Sequence, residues 1–127
     1  ACPETHAMRD PTRGGVAATV VEIATRQGLG IELWERPIPV RDSVRGACEL
    51  FGLDPLLVAN EGKVIAFVPE AAADRALAAM REHALGRDAA CIGRVTAEHP
   101  RMVWVTTPVG GRRILDLPRG EVLPRIC

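Results

Sequence analysis

A helical stripe that breaks at a glycine and runs straight into a strand pattern leaves a chain of this size few folds. Val16, Val20, Ile23 and Ala24 share one face of a helix over residues 14–27. Thr12 is placed to cap its start, with Asp10 nearby, and Gly28 to close it as the left-handed residue past the last turn. Gly30-Ile31-Glu32-Leu33-Trp34-Glu35 then alternates as a strand does, until Pro37 and Pro39 stop it. The same punctuation continues. A helix over 40–51 sets Val44, Ala47, Cys48 and Phe51 on one face and ends at Gly52. Asp54 and Pro55 restart a short helical turn as cap and first helical residue. Asn60-Glu61-Gly62-Lys63 is a turn with a glycine free to take positive φ. Residues 64–68 read as a buried strand. An Ala-rich helix from Pro69 to about His83 follows, packed through Ala72, Ala76, Leu77, Met80 and Ala84. A strand over 90–95 and a hairpin of 102–107 with 112–115, turning at Val109-Gly110-Gly111, complete the body. This predicts an α/β or α+β domain: a mixed sheet with helices covering one face. Pro118 and Pro124 disfavour helix beyond it, so the C-terminus reads as an extended arm.

At 127 residues the chain is predicted to be one domain, and its 47% hydrophobic content suffices for a core. With two Trp, two Phe and no Tyr, that core must be aliphatic. Sixteen basic and sixteen acidic residues cancel, which argues against binding to nucleic acid or a membrane surface by charge. No apolar run reaches the roughly 18 residues of a membrane span, and no leader pattern is read at the start. The opening Ala1-Cys2-Pro3-Glu4 reads as the start of a piece of something longer. Cysteines stand at 2, 48, 91 and 127 with no Cys-x-x-Cys pair, so a structural zinc site is not expected. Their number allows disulfides. Cys48 and Cys91 nevertheless sit in apolar patterns and are expected to be buried free thiols of a reducing, cytosolic protein.

Three stretches could carry chemistry. Asp10-Pro11-Thr12-Arg13-Gly14-Gly15 opens a helix, where glycines let backbone N–H groups approach an anion and Arg13 adds a fork-shaped donor. An ordinary capped helix start would look similar, and the spacing matches neither common nucleotide-binding glycine motif. Asn60-Glu61-Gly62 sets a carboxylate at the entrance of a strand, either as a general base or as a surface turn residue. Cys127 ends the chain, either as a reactive thiol on a mobile arm or as a frayed last residue. The ten links from Leu117 to Cys127 would reach roughly 33 Å at about 3.3 Å each, enough for a thiol to move between two sites. His6, His83 and His99 share no metal-ligand spacing, and of these His6 lies near the glycine motif. Arg112-Arg113 beside Gly110-Gly111 could bind an anion or simply decorate an exposed hairpin.

These residues resemble a known family in order and over nearly the whole chain. Asp10-Pro11-Thr12-Arg13-Gly14-Gly15, Gly46-Ala47-Cys48-Glu49, Leu53-Asp54-Pro55-Leu56, Val58-Ala59-Asn60-Glu61-Gly62-Lys63, Arg113-Ile114-Leu115-Asp116 and the closing Leu123-Pro124-Arg125-Ile126-Cys127 are similar to the C-terminal domain of the hydrogenase expression/formation (HypE) family, a PurM-like group. The resemblance implies residues 1–7 as a remnant of an interdomain connection, 8–116 as the domain and 117–127 as a tail ending in a carrier cysteine. It implies that HypF places a carbamoyl group on Cys127. ATP then drives dehydration of that S-carboxamide to a thiocyanate, and the HypC–HypD complex accepts the cyanide on iron. Glu61 would be the base, with Asn60 a weaker neighbour, and Asp10, Thr12, Arg13, Gly14 and Gly15 would lie near the ATP phosphates. Most of the ATP and magnesium site and the homodimer interface would belong to an N-terminal domain absent from this sequence.

Overall fold

The computed structural model describes residues 2–117. Of the proposed tail of residues 117–127, everything from Pro118 on, Cys127 included, lies outside the described residues. In chain order the elements are β1 (Ala7–Arg9), α1 (Gly15–Gln27), β2 (Gly30–Trp34), α2 (Asp42–Phe51), β3 (Ile65–Phe67), α3 (Ala73–Glu82), β4 (Gly93–Thr96), β5 (Val103–Thr106) and β6 (Arg112–Ile114). Short 3-10 turns occupy Pro55–Leu57, Glu70–Ala72 and Ala84–Gly86.

A four-stranded sheet in the order β4-β2-β5-β6 forms the centre. β2 and β5 run parallel, while β4 and β6 flank them antiparallel. The sheet is therefore mixed, as expected. Ile31 and Leu33 of β2 and Val103 and Val105 of β5 turn to one face, where Ala17, Val20 and Ala24 of α1 complete the core with Leu56 and Leu115. Small residues on α1 let its backbone lie close to the sheet. Gly28 closes α1 at φ 65°, with its N–H on the Ala24 carbonyl oxygen. Asp54 caps the Pro55–Leu57 turn by accepting the Leu56 N–H at 2.9 Å.

β1 and β3 form a separate antiparallel ribbon with Ala7 opposite Phe67, Met8 opposite Ala66 and Arg9 opposite Ile65. Here the expectation of a buried strand over 64–68 is corrected. β3 is only half-buried, because a two-stranded ribbon leaves it a neighbour on one edge alone.

Other expectations change too. Thr12 does not cap α1. Gly14 takes the N-cap position at φ 69° and no side chain caps the helix. The predicted face of α2 is mostly open: Cys48 is buried, but Phe51 is 72% exposed. Cys91 is exposed rather than buried, since it precedes β4 on an edge of the sheet. α3 has no fully buried residue.

Candidate functional site

The ribbon explains how two distant stretches meet. The Gly-rich segment leaves β1 after Arg9, and the Asn60 turn leads into β3 at Ile65. Antiparallel pairing puts that exit beside that entrance. The Asn60 N–H donates to the carbonyl oxygens of Pro11 at 3.0 Å and Thr12 at 3.3 Å. Pro11 is fully buried beneath this junction. The Asn60 side chain is spent locally: Nδ2 donates to the Val58 carbonyl oxygen at 3.2 Å, and Oδ1 accepts from Lys63 Nζ at 3.0 Å.

Gly14 and Gly15 both take left-handed backbone, at φ 69° and 65°, a conformation that costs any residue with a Cβ. A Cβ on Gly15 would overlap the carbonyl oxygens of Leu56 and Val58. The glycine is thus required for close approach of the helix start to the 56–58 backbone. The uncapped N-terminus of α1 leaves its first N–H groups available, and helix starts attract anions. Among the described residues, Arg13 forms no ion pair, whereas Arg9 pairs with Glu22 at 3.4 Å and Glu22 also with Arg26 at 3.1 Å.

The structure brings together Asn60 and the Pro11–Gly15 segment, and Glu61 follows directly on the exposed side of the turn. Asp10, Thr12 and Arg13 are exposed, while Gly15 is buried. His6 is exposed, and its N–H is held by the Phe67 carbonyl oxygen at 2.8 Å. Sequence reasoning treated Lys63 only as part of a turn. Its spacing of three from Asn60 was the signal for the bond it makes. The carbonyl of Pro11 is the acceptor that joins the two stretches, a backbone role that its side chain does not signal.

The domain is of the α/β class, with a mixed sheet and a glycine-rich helix start held beside the Asn60 turn. The chain belongs to the family described as AIR synthase related protein, C-terminal domain, which matches residues 2–105. It is also similar to the carbamoyl dehydratase HypE of Azotobacter vinelandii, with 56% identity over 127 residues, all of this chain and 37% of that protein. Among solved structures it is similar to a hydrogenase maturation protein HypE in complex with ATP, with a TM-score of 0.89, 45% identity, and coverage of 98% of this chain and 38% of that one. It is likewise similar to a chain of a HypE-HypF complex, with a TM-score of 0.86, 43% identity, and coverage of 91% and 37%. The chain therefore spans little more than a third of the length of these relatives, and the expected PurM-like fold is the one observed.

Proposed function

We propose that this chain is the C-terminal part of a HypE-type carbamoyl dehydratase acting in [NiFe] hydrogenase maturation, in the cytoplasm. On this reading residues 8–116 form the domain, 1–7 a connection to a preceding domain, and 117–127 a tail whose Cys127 carries the substrate. The observation that carries the reading is the bond from Asn60 to Pro11, which fastens the acidic turn to the Gly-rich helix start. A dehydration driven by phosphate transfer needs an anion cradle and a base side by side. The similarity to HypE proteins, one of them in complex with ATP, supports it.

The residues present suit a phosphate ligand: Gly14 and Gly15 hold an uncapped helix start, and Arg13 is exposed beside it. Asp10 and Thr12 flank that cradle. ATP supplies the phosphoryl group that turns a carboxamide oxygen into a leaving group. Most of the ATP and Mg2+ site, and the homodimer interface, fall to the part of the relatives that this chain does not span. Glu61 takes the amide protons, and Asn60 holds its turn in place. Loss of those protons and of phosphate leaves a thiocyanate on Cys127. HypF is the carbamoyl donor, in keeping with the HypE-HypF complex among the similar structures, and the HypC–HypD complex is the cyanide acceptor.

Taken alone, the chain acts as a carrier and docking module without turnover, because it spans only 37% of such a relative. Intact mass after incubation with HypF, carbamoyl phosphate and ATP tests the carrier role. A gain of one carbamoyl group on the chain, absent from Cys127→Ala, is expected. An equal gain on Cys127→Ala would refute the carrier assignment.

A further inference from the structure

We infer that a hollow on the sheet face opposite α1 binds a small oxyanion, a carboxylate or phosphate group, through Arg112 and the indole N–H of Trp104. The register sets Glu32, Trp104 and Ile114 side by side across β2, β5 and β6, on the face that α1 leaves uncovered. At the foot of β5, His99, Met102, Trp104, Arg112, Arg113 and Ile114 line a hollow of about 150 Å³. None of these residues belongs to the Gly-rich segment or the Asn60 turn.

Two features of the hollow call for a ligand. Trp104 is only 6% exposed, and its Nε1–H is buried with no acceptor among the described residues. Buried donors are nearly always bonded, so an unpartnered one marks a missing acceptor. The charges around it are also unbalanced. Arg94 is engaged by Glu32 at 2.8 Å and Arg113 by Asp54 at 2.9 Å. Arg112 forms no ion pair among the described residues, although it is exposed at the hollow's edge. A group with negative oxygens satisfies the indole and the free guanidinium together.

The walls are held in place. His99 and Arg101 take left-handed backbone at φ 49° and 64°, which residues other than glycine seldom adopt. Bonds from Arg101 N–H to the Leu29 carbonyl oxygen (3.0 Å) and from Met102 N–H to that of His99 (3.1 Å) keep the loop there. The His99 ring stands edge-on to the indole at 5.6 Å. His99 itself is exposed, and exposed side chains change rotamer on a fast timescale. The size limits the ligand. The hollow is well below the roughly 300–1,000 Å³ of ordinary small-molecule pockets, so it takes one anionic group and not a nucleotide. Glu32 lies close enough to Arg112 to feel its charge. Glu32 therefore competes with the ligand for that charge and weakens the binding.

The source of the oxyanion is either free phosphate or an acidic side chain of another polypeptide, and the test separates them. The chain has two tryptophans, hence two indole N–H signals in a nitrogen–proton correlation spectrum, assigned with Trp34→Phe. Inorganic phosphate and a blocked glutamate are titrated separately at constant pH and ionic strength. The Trp104 signal is expected to shift saturably while that of Trp34 stays put. Arg112→Gln is expected to weaken the response about tenfold or more, the usual scale for a charge-assisted hydrogen bond. Saturation by phosphate alone identifies a free ion, by glutamate alone an acidic side chain, and by both a site for either. No saturable shift with either probe, parallel shifts of both indoles, or an unchanged response in Arg112→Gln overturns the inference.

Discussion

The backbone N–H of Asn60 donates to the carbonyl oxygen of Pro11 at 3.0 Å, joining stretches almost fifty residues apart in sequence. Pro11 is buried, so the acceptor is fixed, and Asn60 is held at both its backbone and its side chain. Glu61 follows Asn60 directly in the same turn and is exposed. Long-range placement by one ribbon and one backbone bond makes the site sensitive to a few substitutions.

Gly15→Ala should be among the most damaging small changes. It forces a Cβ into left-handed backbone and against the Leu56 and Val58 carbonyls. The backbone accounts for roughly 1–2 kcal/mol and the overpacking for about 1–3 more. Gly28→Ala, at a similar φ but with nothing within 4 Å of its Cβ, should lose only the roughly 1–2 kcal/mol backbone part. Urea unfolding of both variants checks this, and equal losses would mean that Gly15 is not wedged against that backbone.

Asn60→Ala removes two side-chain bonds, to the Val58 carbonyl oxygen and from Lys63, but keeps the backbone bond to Pro11. A stability loss of about 1 kcal/mol is expected, since one of the two bonds is exposed. Faster hydrogen exchange should be confined to the Asn60 turn and the 10–15 segment. Unchanged exchange there would show that the side chain does not hold the junction.

Glu32 gives a pH signature. It is 5% exposed and accepts from Thr106 Oγ1 at 2.7 Å and Arg94 Nε at 2.8 Å. The Thr106 bond holds its carboxyl below the usual carboxylate value, with Arg94 assisting, while burial opposes them. A lowered folded value means that the unfolded chain takes up the proton first as pH falls. The stabilisation is full above the ordinary value near 4.5 and is lost as pH drops through it toward the folded value. Glu32→Gln should cost about 1–3 kcal/mol at neutral pH and show a shallower acid limb. A wild-type limb no steeper than that of Glu32→Gln would contradict the assignment.

The cysteines among the described residues should label in order of exposure. Cys91 is exposed, Cys2 is half-buried and Cys48 is buried. Iodoacetamide should modify Cys91 in the native chain and reach Cys48 only after denaturant is added, as read by peptide mass mapping. Native labelling of Cys48 ahead of Cys91 would mean that α2 is not seated as described.

Much of the fold was legible because its signals are local. Gly28, Gly52 and the Asp54-Pro55 pair end or start elements by their own backbone chemistry, and each does so here. The mixed sheet and the β5–β6 hairpin followed from the same punctuation. What failed depended on partners. β1 is only three residues, Ala7-Met8-Arg9, too short to show an alternation, so nothing in it announces a strand until β3 pairs with it. The apolar run at β3 reads as fully buried, but apolarity does not say how many strands lie alongside. The stripe on α2 predicts a covered face, yet Val44 and Phe51 stay exposed for want of a neighbour among the described residues. In the site, residue types were legible in Gly14, Gly15, Asn60 and Glu61. Their meeting was not, because a contact across that sequence distance leaves no trace in spacing.

Whether Glu61 removes protons from a carboxamide on Cys127 is measured most directly by the mass of the Cys127-containing peptide. The vehicle is a chimera in which this sequence replaces the matching part of the Azotobacter vinelandii HypE, 56% identical to it. The chimera is incubated with HypF, carbamoyl phosphate and ATP, and the peptide mass is followed over time. The wild-type peptide should gain a carbamoyl group and then lose one water. Glu61→Gln should gain the group and keep it. Loss of water at an undiminished rate in Glu61→Gln, or a carbamoyl group found on a residue other than Cys127, would contradict the assignment.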